Sequence, residues 1–312
     1  MPDSLFLLAL IFIATLALLV FSADKFIEAS EKIGRSLGIP HFIIGVTVVA
    51  LGTSLPELVS SIFAILSGSP EIPIGNVVGS NITNILLILG VVGVVAKGFS
   101  ISFDFKKIDL PFFLIATAFL CFAIWDRDFA MWEAIVGLAI IATYLFLTIR
   151  RGGTDLTDQV APKLKPSYWM MLLLGGIGIY FGAKYNVESI IRIGEQLKVS
   201  PAIIALTAVA LGTSLPELFV SLAAIRKNNA EIVIGNVLGS NIFNALVIMG
   251  IPRFVGRLDI PNEVVVTSVP IMIVATVLFF LFVWDKKVVI WEAVLLLLGY
   301  IAFLAISISM AS

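Results

Sequence analysis

The sequence predicts an all-α polytopic membrane protein: ten transmembrane helices in two inverted-topology five-helix repeats, with discontinuous core helices. Three observations carry that prediction. The 312 residues are 60% hydrophobic and only 13% charged, with a mean hydropathy of +1.10, values that belong to a membrane chain rather than a soluble domain. Apolar runs long enough to cross a bilayer recur along the whole length. Residues 46–90 and 206–250 are also nearly the same text. About 28 of their 45 positions match without a gap at an offset of about 160, an internal duplication of the kind that transporter folds carry.

The runs fall at 4–22, 41–66, 71–96, 108–125 and 130–149 in the first half. In the second half they fall at 168–184, 201–225, 231–252, 263–283 and 288–308. The first opens Met1-Pro2-Asp3 without a basic leader, and its apolar core of about 17 residues exceeds that of a signal peptide, so it reads as a retained span. The polar stretch 23–40, with Asp24, Lys25, Glu28, Glu31, Lys32 and Arg35, then reads as the first loop. The domains expected are a first repeat over 1–150 with core 46–90, a linker over 151–167, and a second repeat over 168–312 with core 206–250.

Ten spans place both termini on one side. Loops 23–40, 97–107, 150–166, 226–230 and 284–287 hold about 14 of the 20 Lys and Arg residues, so this set is expected in the cytoplasm and both termini outside the cell membrane. The linker, with Arg150, Arg151, Asp155, Asp158, Lys163 and Lys165, has the composition of a solvated cytoplasmic hinge. Equivalent elements lie five spans apart, an odd number, so the two copies enter the bilayer in opposite directions about a pseudo-two-fold axis in its plane. The likeness extends beyond the core: Trp125-Asp126 and Trp132-Glu133 recur as Trp284-Asp285 and Trp291-Glu292, pairs that suit helix ends at the membrane interface. A net charge of −1 argues against nucleic acid as a partner. The single Cys121 rules out an intrachain disulfide, and the single His41 reads as a neutral residue at the start of a span.

Each repeat core places one carboxylate, Glu57 or Glu217, in an otherwise apolar segment, and an ionisable group at membrane depth marks an ion pathway. In Gly52-Thr53-Ser54-Leu55-Pro56-Glu57, Pro56 removes a backbone donor and frees carbonyls near Gly52. In a membrane those carbonyls need another partner, and a cation is one. Glu57 follows Ser54 and Thr53 by three and four positions, hence on their face. Gly212-Thr213-Ser214-Leu215-Pro216-Glu217 repeats the set from the opposite direction. The next span of each half adds Ser80 and Asn84, or Ser240 and Asn244, four apart on one face. The pairs Gly75/Gly79 and Gly235/Gly239 are small-xxx-small spacings that let helices approach closely. Glu71 and Glu231 precede their spans, where a carboxylate suits a helix N-terminus, and read as structural.

Such a set of hard oxygens suits Ca²⁺ or alkali cations and not the softer transition metals. Two glutamates neutralise one Ca²⁺. Two bare carboxylates cannot both stay charged in an apolar interior, so Ca²⁺ leaving must be replaced by protons or Na⁺. That requirement yields exchange rather than leak.

GTSLPE followed by GNxxGSNIxN, twice, resembles the cation/Ca²⁺ exchanger superfamily and most of all its prokaryotic sodium/calcium exchanger branch. The resemblance spans the whole chain. It implies cation ligands from Ala50, Thr53, Ser54, Glu57, Ser80 and Asn84 in the first half. In the second it implies Ala210, Thr213, Ser214, Glu217, Ser240 and Asn244, the alanines acting through their carbonyls. It also implies that spans one and six slide across a rigid core, in keeping with Gly175-Gly176-Ile177-Gly178 in span six. One position departs from it. The sodium/calcium branch commonly has Asp where Asn244 stands, and potassium-dependent relatives have acids there and at Asn84. With two carboxylates and no third, potassium dependence is not expected.

The function expected is secondary antiport, Ca²⁺ against Na⁺ by alternating access, with Ca²⁺/H⁺ antiport on the same two glutamates as the alternative. Proton/calcium members of the superfamily carry a GNxxE pattern that is absent here. A channel would need a continuous pore, usually from symmetric subunits, whereas an inverted repeat in one chain suits alternating access. An intramembrane metalloenzyme would need His ligands, and the chain offers only His41, so no enzymatic activity and no cofactor are expected. The partners expected are the transported ions and the lipid bilayer, with a monomer able to function.

Overall fold

The computed structural model describes residues 4–66, 68, 70–152, 164–197 and 201–311; side chains at 151, 152, 183, 187, 190, 201–213, 310 and 311 lie outside the description. The linker expected at 151–167 falls outside it apart from its two ends. Among the described residues ten helical spans follow in order. They are α1 (Leu5–Leu37), α2 (His41–Leu66), α3 (Ile72–Val95), α4 (Asp109–Ala123), α5 (Met131–Gly152), α6 (Pro166–Gln196), α7 (Pro201–Arg226), α8 (Ala230–Arg253), α9 (Val264–Val283) and α10 (Ile290–Ala311). Seven of them are long and apolar enough to cross a bilayer by length and composition. Strand β1 (Phe99–Ser100) pairs antiparallel with β2 (Lys287–Val288).

Two boundaries differ from the sequence reading. The first apolar run was expected to end at 22 and give way to a loop, yet α1 continues unbroken to Leu37, where Gly38 at φ 66° closes it. Its charges do not break it because they share one face: Lys25 and Lys32 both bind Glu28, at 2.8 and 2.6 Å. The opposite face, with Ala23, Phe26, Ile27, Ser30 and Ile33, is buried. Helix α6 likewise runs past 184 to Gln196. The loops shorten and the order of spans is unchanged.

The internal repeat is visible in the backbone. Gly68 and Asn228, 160 apart, both adopt positive φ (82° and 57°), as do Arg127 and Lys286, 159 apart (65° and 61°). Both copies of the Trp-Asp turn are built alike. Asp126 accepts from the Asp128 amide at 3.1 Å, and Asp285 from that of Lys287 at 3.2 Å. The glutamate that follows each turn caps the next helix: Glu133 accepts from the Ala130 amide (2.7 Å) and Glu292 from that of Val289 (2.9 Å). All four tryptophans of these turns are at least half exposed, as suits a ring at the membrane interface. The β1–β2 pair links the loop after α3 to the loop after α9, and the bridge Asp128–Asp259 links their counterparts.

The core forms around α3 and α8. In its apolar window α8 is 94% buried and α3 78%, against 22% for α1 and α10. A Cβ on Gly235 would lie 2.6 Å from the Phe42 carbonyl, and one on Gly239 2.6 Å from that of Val46, so α8 meets α2 backbone to backbone. Gly75 and Gly79 differ: a Cβ there meets no described atom within 4 Å, and positions 202 and 206, equivalent to Phe42 and Val46, are among those whose side chains lie outside the description. On the outside, Gly175, Gly178 and Gly182 of α6 press on Phe26, Ser22 and Leu19 of α1, so these two long helices pack lengthwise as a pair. The core helices are interrupted by widened π turns. One spans Gly45–Val49, and a symmetric pair spans Asn84–Ile88 and Asn244–Ile248. Such turns shift helical register and concentrate at functional sites. His41 opens α2 with Nδ1 3.1 Å from Asn229 Nδ2.

Candidate ion-binding site

Helix α2 is polar inward and apolar outward. Ala50, Thr53, Ser54, Glu57 and Ser61 are buried, whereas Leu51, Leu55 and Val59 are 42–46% exposed. Ser214, Glu217 and Ser221 of α7 are buried too. Pro56 and Pro216 stand inside their helices, so neither can donate to the carbonyl four residues back, Gly52 or Gly212.

The two halves meet directly. Ser54 Oγ of α2 donates to Glu217 Oε1 of α7 at 3.1 Å, and Glu57 lies one turn further along the same face. Helix α3 contributes Ser80 and Asn84, and α8 contributes Ser240 and Asn244, all buried. Ala50 is fully buried. The side chains of Ala210 and Thr213 lie outside the described residues, although both positions are on α7. Hydrogen bonds thus join Ser54 to Glu217, and Thr53 and Ser240 to one shared residue of α8, while Ser80, Asn84, Ser214 and Asn244 are buried on the same four helices.

Its chemistry is an excess of acceptors. Glu57 Oε2, Glu217 Oε2, Ser214 Oγ, Asn84 Oδ1 and Asn244 Oδ1 are buried without a hydrogen-bond partner, against one unpaired amide donor, Asn84 Nδ2. Such groups ordinarily find partners, and leaving one unpaired costs about 1–3 kcal/mol, more for a charge. Among the described residues no salt bridge reaches either glutamate, and no cluster of three acidic, His or Cys side chains forms. A hard cation satisfies such a set by accepting many oxygens at once.

The sequence reading passed over Asn236. This fully buried residue of α8 accepts from Thr53 Oγ1 (3.3 Å) and Ser240 Oγ (3.5 Å), and donates to Ser221 Oγ (3.0 Å) and the Glu217 carbonyl (3.4 Å). The signal was present: Asn76 and Asn236 recur at the same offset and stand four residues before Ser80 and Ser240, on their face. Asn81 was passed over as well; its Nδ2 donates to the Asn241 carbonyl at 3.4 Å, tying α3 to α8. The two glutamates read as structural lie away from the site. Glu71 is exposed at the N-terminus of α3, and Glu231, in the first turn of α8, accepts from Ser102.

An inverted repeat of discontinuous helices around buried, unpaired oxygens defines an ion transporter of the membrane. A family model for the sodium/calcium exchanger protein matches residues 7–150 and 167–309. The chain belongs to that family. A sodium/calcium exchanger of Methanosarcina acetivorans is 31% identical over 343 residues, covering 95% of this chain and 97% of that protein. An uncharacterized membrane protein of Methanocaldococcus jannaschii is 35% identical over 301 residues, covering 94% and 96%. Among solved structures, the sodium-calcium exchanger NCX_Mj soaked with Na⁺ and Sr²⁺ superposes with a TM-score of 0.82 at 32% identity, covering 97% of this chain and 99% of that one.

Proposed function

We propose that this chain exchanges Ca²⁺ for Na⁺ across the cell membrane by alternating access, holding its ions between Glu57 and Glu217. The observation that carries the reading is the pair of buried carboxylates, with no salt bridge to either among the described residues, delivered by oppositely inserted helices and joined through Ser54. A site of charge −2 in an apolar interior must always be compensated. One Ca²⁺ does so, and so do Na⁺ ions drawn to the neutral oxygens of Thr53, Ser54, Ser80, Asn84, Ser214, Ser240 and Asn244. Ala50, Ala210 and Thr213 complete the proposed ligand set. The family match and the exchangers it resembles support Na⁺ as the counter-ion. Ca²⁺/H⁺ antiport on the same glutamates is the second reading, since two protons also compensate the charge. In this reading the repeats are 1–150 and 168–312, the termini are outside, the linker 151–167 is cytoplasmic, and one chain suffices.

The deciding experiment measures radioactive Ca²⁺ uptake into proteoliposomes loaded with Na⁺ or with acid. An outward Na⁺ gradient is expected to drive concentrative uptake that an outward proton gradient of equal size does not. Equal uptake in the acid-loaded vesicles would replace Na⁺ by H⁺. In the same assay Glu71→Gln, at an exposed position away from the site, is expected to keep more than about half of the parent rate, as surface substitutions generally do. Loss of flux in a folded Glu71→Gln protein would move that carboxylate into the ion path.

A further inference from the structure

We propose that Asn236 is a positioning residue of the ion site, one that turns the hydroxyls of Thr53 and Ser240 so that their lone pairs face the cation. This rests on the exchange reading and deepens it. A hydroxyl carries one proton and two lone pairs, and it can ligate a cation only through a lone pair. Some acceptor outside the ligand sphere must therefore hold the proton. For Ser240 that acceptor is Asn236 Oδ1, at 3.5 Å. Thr53 Oγ1 lies 3.3 Å from the same oxygen, with the Val49 and Ala50 carbonyls, at 3.1 and 3.3 Å, as further acceptors on its own helix. One amide oxygen thus gathers a hydroxyl from each half of the protein.

The orientation of this amide follows from its other end. The Glu217 carbonyl, 3.4 Å away, can only accept, so the group facing it is Nδ2. Turning the amide over would set oxygen against oxygen there and would present N–H donors to Thr53 and Ser240. The 3.0 Å bond from Nδ2 to Ser221 Oγ is compatible with that sense without fixing it, because a hydroxyl accepts as readily as it donates. Through that carbonyl Asn236 also fixes the backbone of the residue that carries the second carboxylate. The side chain is fully buried in α8, where Gly235 and Gly239 flank it and bring the α2 backbone close. The first half repeats part of this network: Asn76 Oδ1, half-buried, accepts from Ser80 Oγ at 3.5 Å, whereas Ser61 Oγ, the counterpart of Ser221 Oγ, is buried with no partner.

A positioning role and a purely structural one separate kinetically. The assay is Na⁺-driven Ca²⁺ uptake by the full chain in proteoliposomes, with KM and kcat resolved. Asn236→Leu keeps the approximate shape and removes both ends of the amide; it is expected to raise KM for Ca²⁺ by about tenfold with kcat within about threefold of the parent. Ser221→Ala removes only the tie between α7 and α8 and is expected to leave KM within about twofold. Because Asn236 acts partly through Ser240, the KM increase of Asn236→Leu/Ser240→Ala is expected to fall short of the product of the single effects. Should Asn236→Leu not survive extraction, Asn236→Gln, which moves the amide by one methylene, is read by the same criteria. An unchanged KM in a folded Asn236 variant would overturn the proposal, as would a Ser221→Ala effect equal to that of Asn236→Leu. A parent protein that moves no Ca²⁺ under any gradient would instead overturn the exchange reading and this one with it, so the two failures are distinguishable.

Discussion

Replacing Glu57 or Glu217 by Gln is expected to lower Na⁺-driven Ca²⁺ flux by at least about a hundredfold while leaving the protein folded. Each glutamate is only 1% exposed, and in the proposed exchange cycle the pair carries −2 that a bound Ca²⁺ cancels. With one carboxylate gone, a bound Ca²⁺ leaves +1 uncompensated in a low-dielectric interior. Breaking a buried charge balance by removing one partner costs about 3–5 kcal/mol, which is two to four powers of ten in affinity. The fold is spared because the amide is nearly isosteric and neither carboxylate holds a salt bridge among the described residues. Removing a charge that lacks a protein partner is in fact expected to raise the melting temperature in ion-free buffer, whereas stabilisation by added Ca²⁺ should vanish. Radioactive Ca²⁺ uptake, size-exclusion profiles and thermal melts with and without Ca²⁺ check all three. A monodisperse variant with near-parent flux would sink the shared-site reading.

The repeat and its inversion could be read from the sequence because duplication is a property of text: two stretches matching at a fixed offset, five spans apart, leave one geometric solution. The polar face of α2 was legible for a similar reason, since Thr53, Ser54 and Glu57 obey helical spacing. The extent of α1 was not. Lys25, Glu28 and Lys32 look like loop composition, and only the packing of Phe26 and Ile27 against neighbouring helices shows that one face is buried while the charges pair on the other. Asn236 was missed for a different reason. A single Asn in a membrane helix is most often helix-to-helix glue, and nothing in its own neighbourhood says that its amide touches Thr53, which lies 183 residues away. The β1–β2 pair was beyond reach too, because two-residue strands carry no periodicity and their pairing depends on where the repeats dock. Local spacing reveals which residues share a face; it does not reveal which faces meet.

Ca²⁺ exchange is expected to move one net charge per cycle. Two carboxylates carry −2, so one bound Ca²⁺ gives a neutral loaded site, and two bound protons give the same; a two-proton cycle would be indifferent to voltage. Three Na⁺ in that site leave +1, and returning this load against Ca²⁺ makes the cycle electrogenic. The proposed site offers what additional Na⁺ ions need and protons do not: neutral oxygens, among which Ser214 Oγ, Asn84 Oδ1 and Asn244 Oδ1 are buried and unpaired. Asn84 and Asn244 add no negative charge, so no third carboxylate absorbs the extra +1. In Na⁺-loaded vesicles three Na⁺ leave as one Ca²⁺ enters, a net outward positive charge, and an inside-positive potential should therefore accelerate uptake. At about 100 mV one charge is worth roughly 2.3 kcal/mol, which deepens the final Ca²⁺ gradient by roughly fiftyfold. Valinomycin with K⁺ gradients of either sign sets the potential, and both initial rate and end-point are read. Uptake that ignores the sign of that potential while responding fully to a pH step would mean that protons, not Na⁺, balance Glu57 and Glu217.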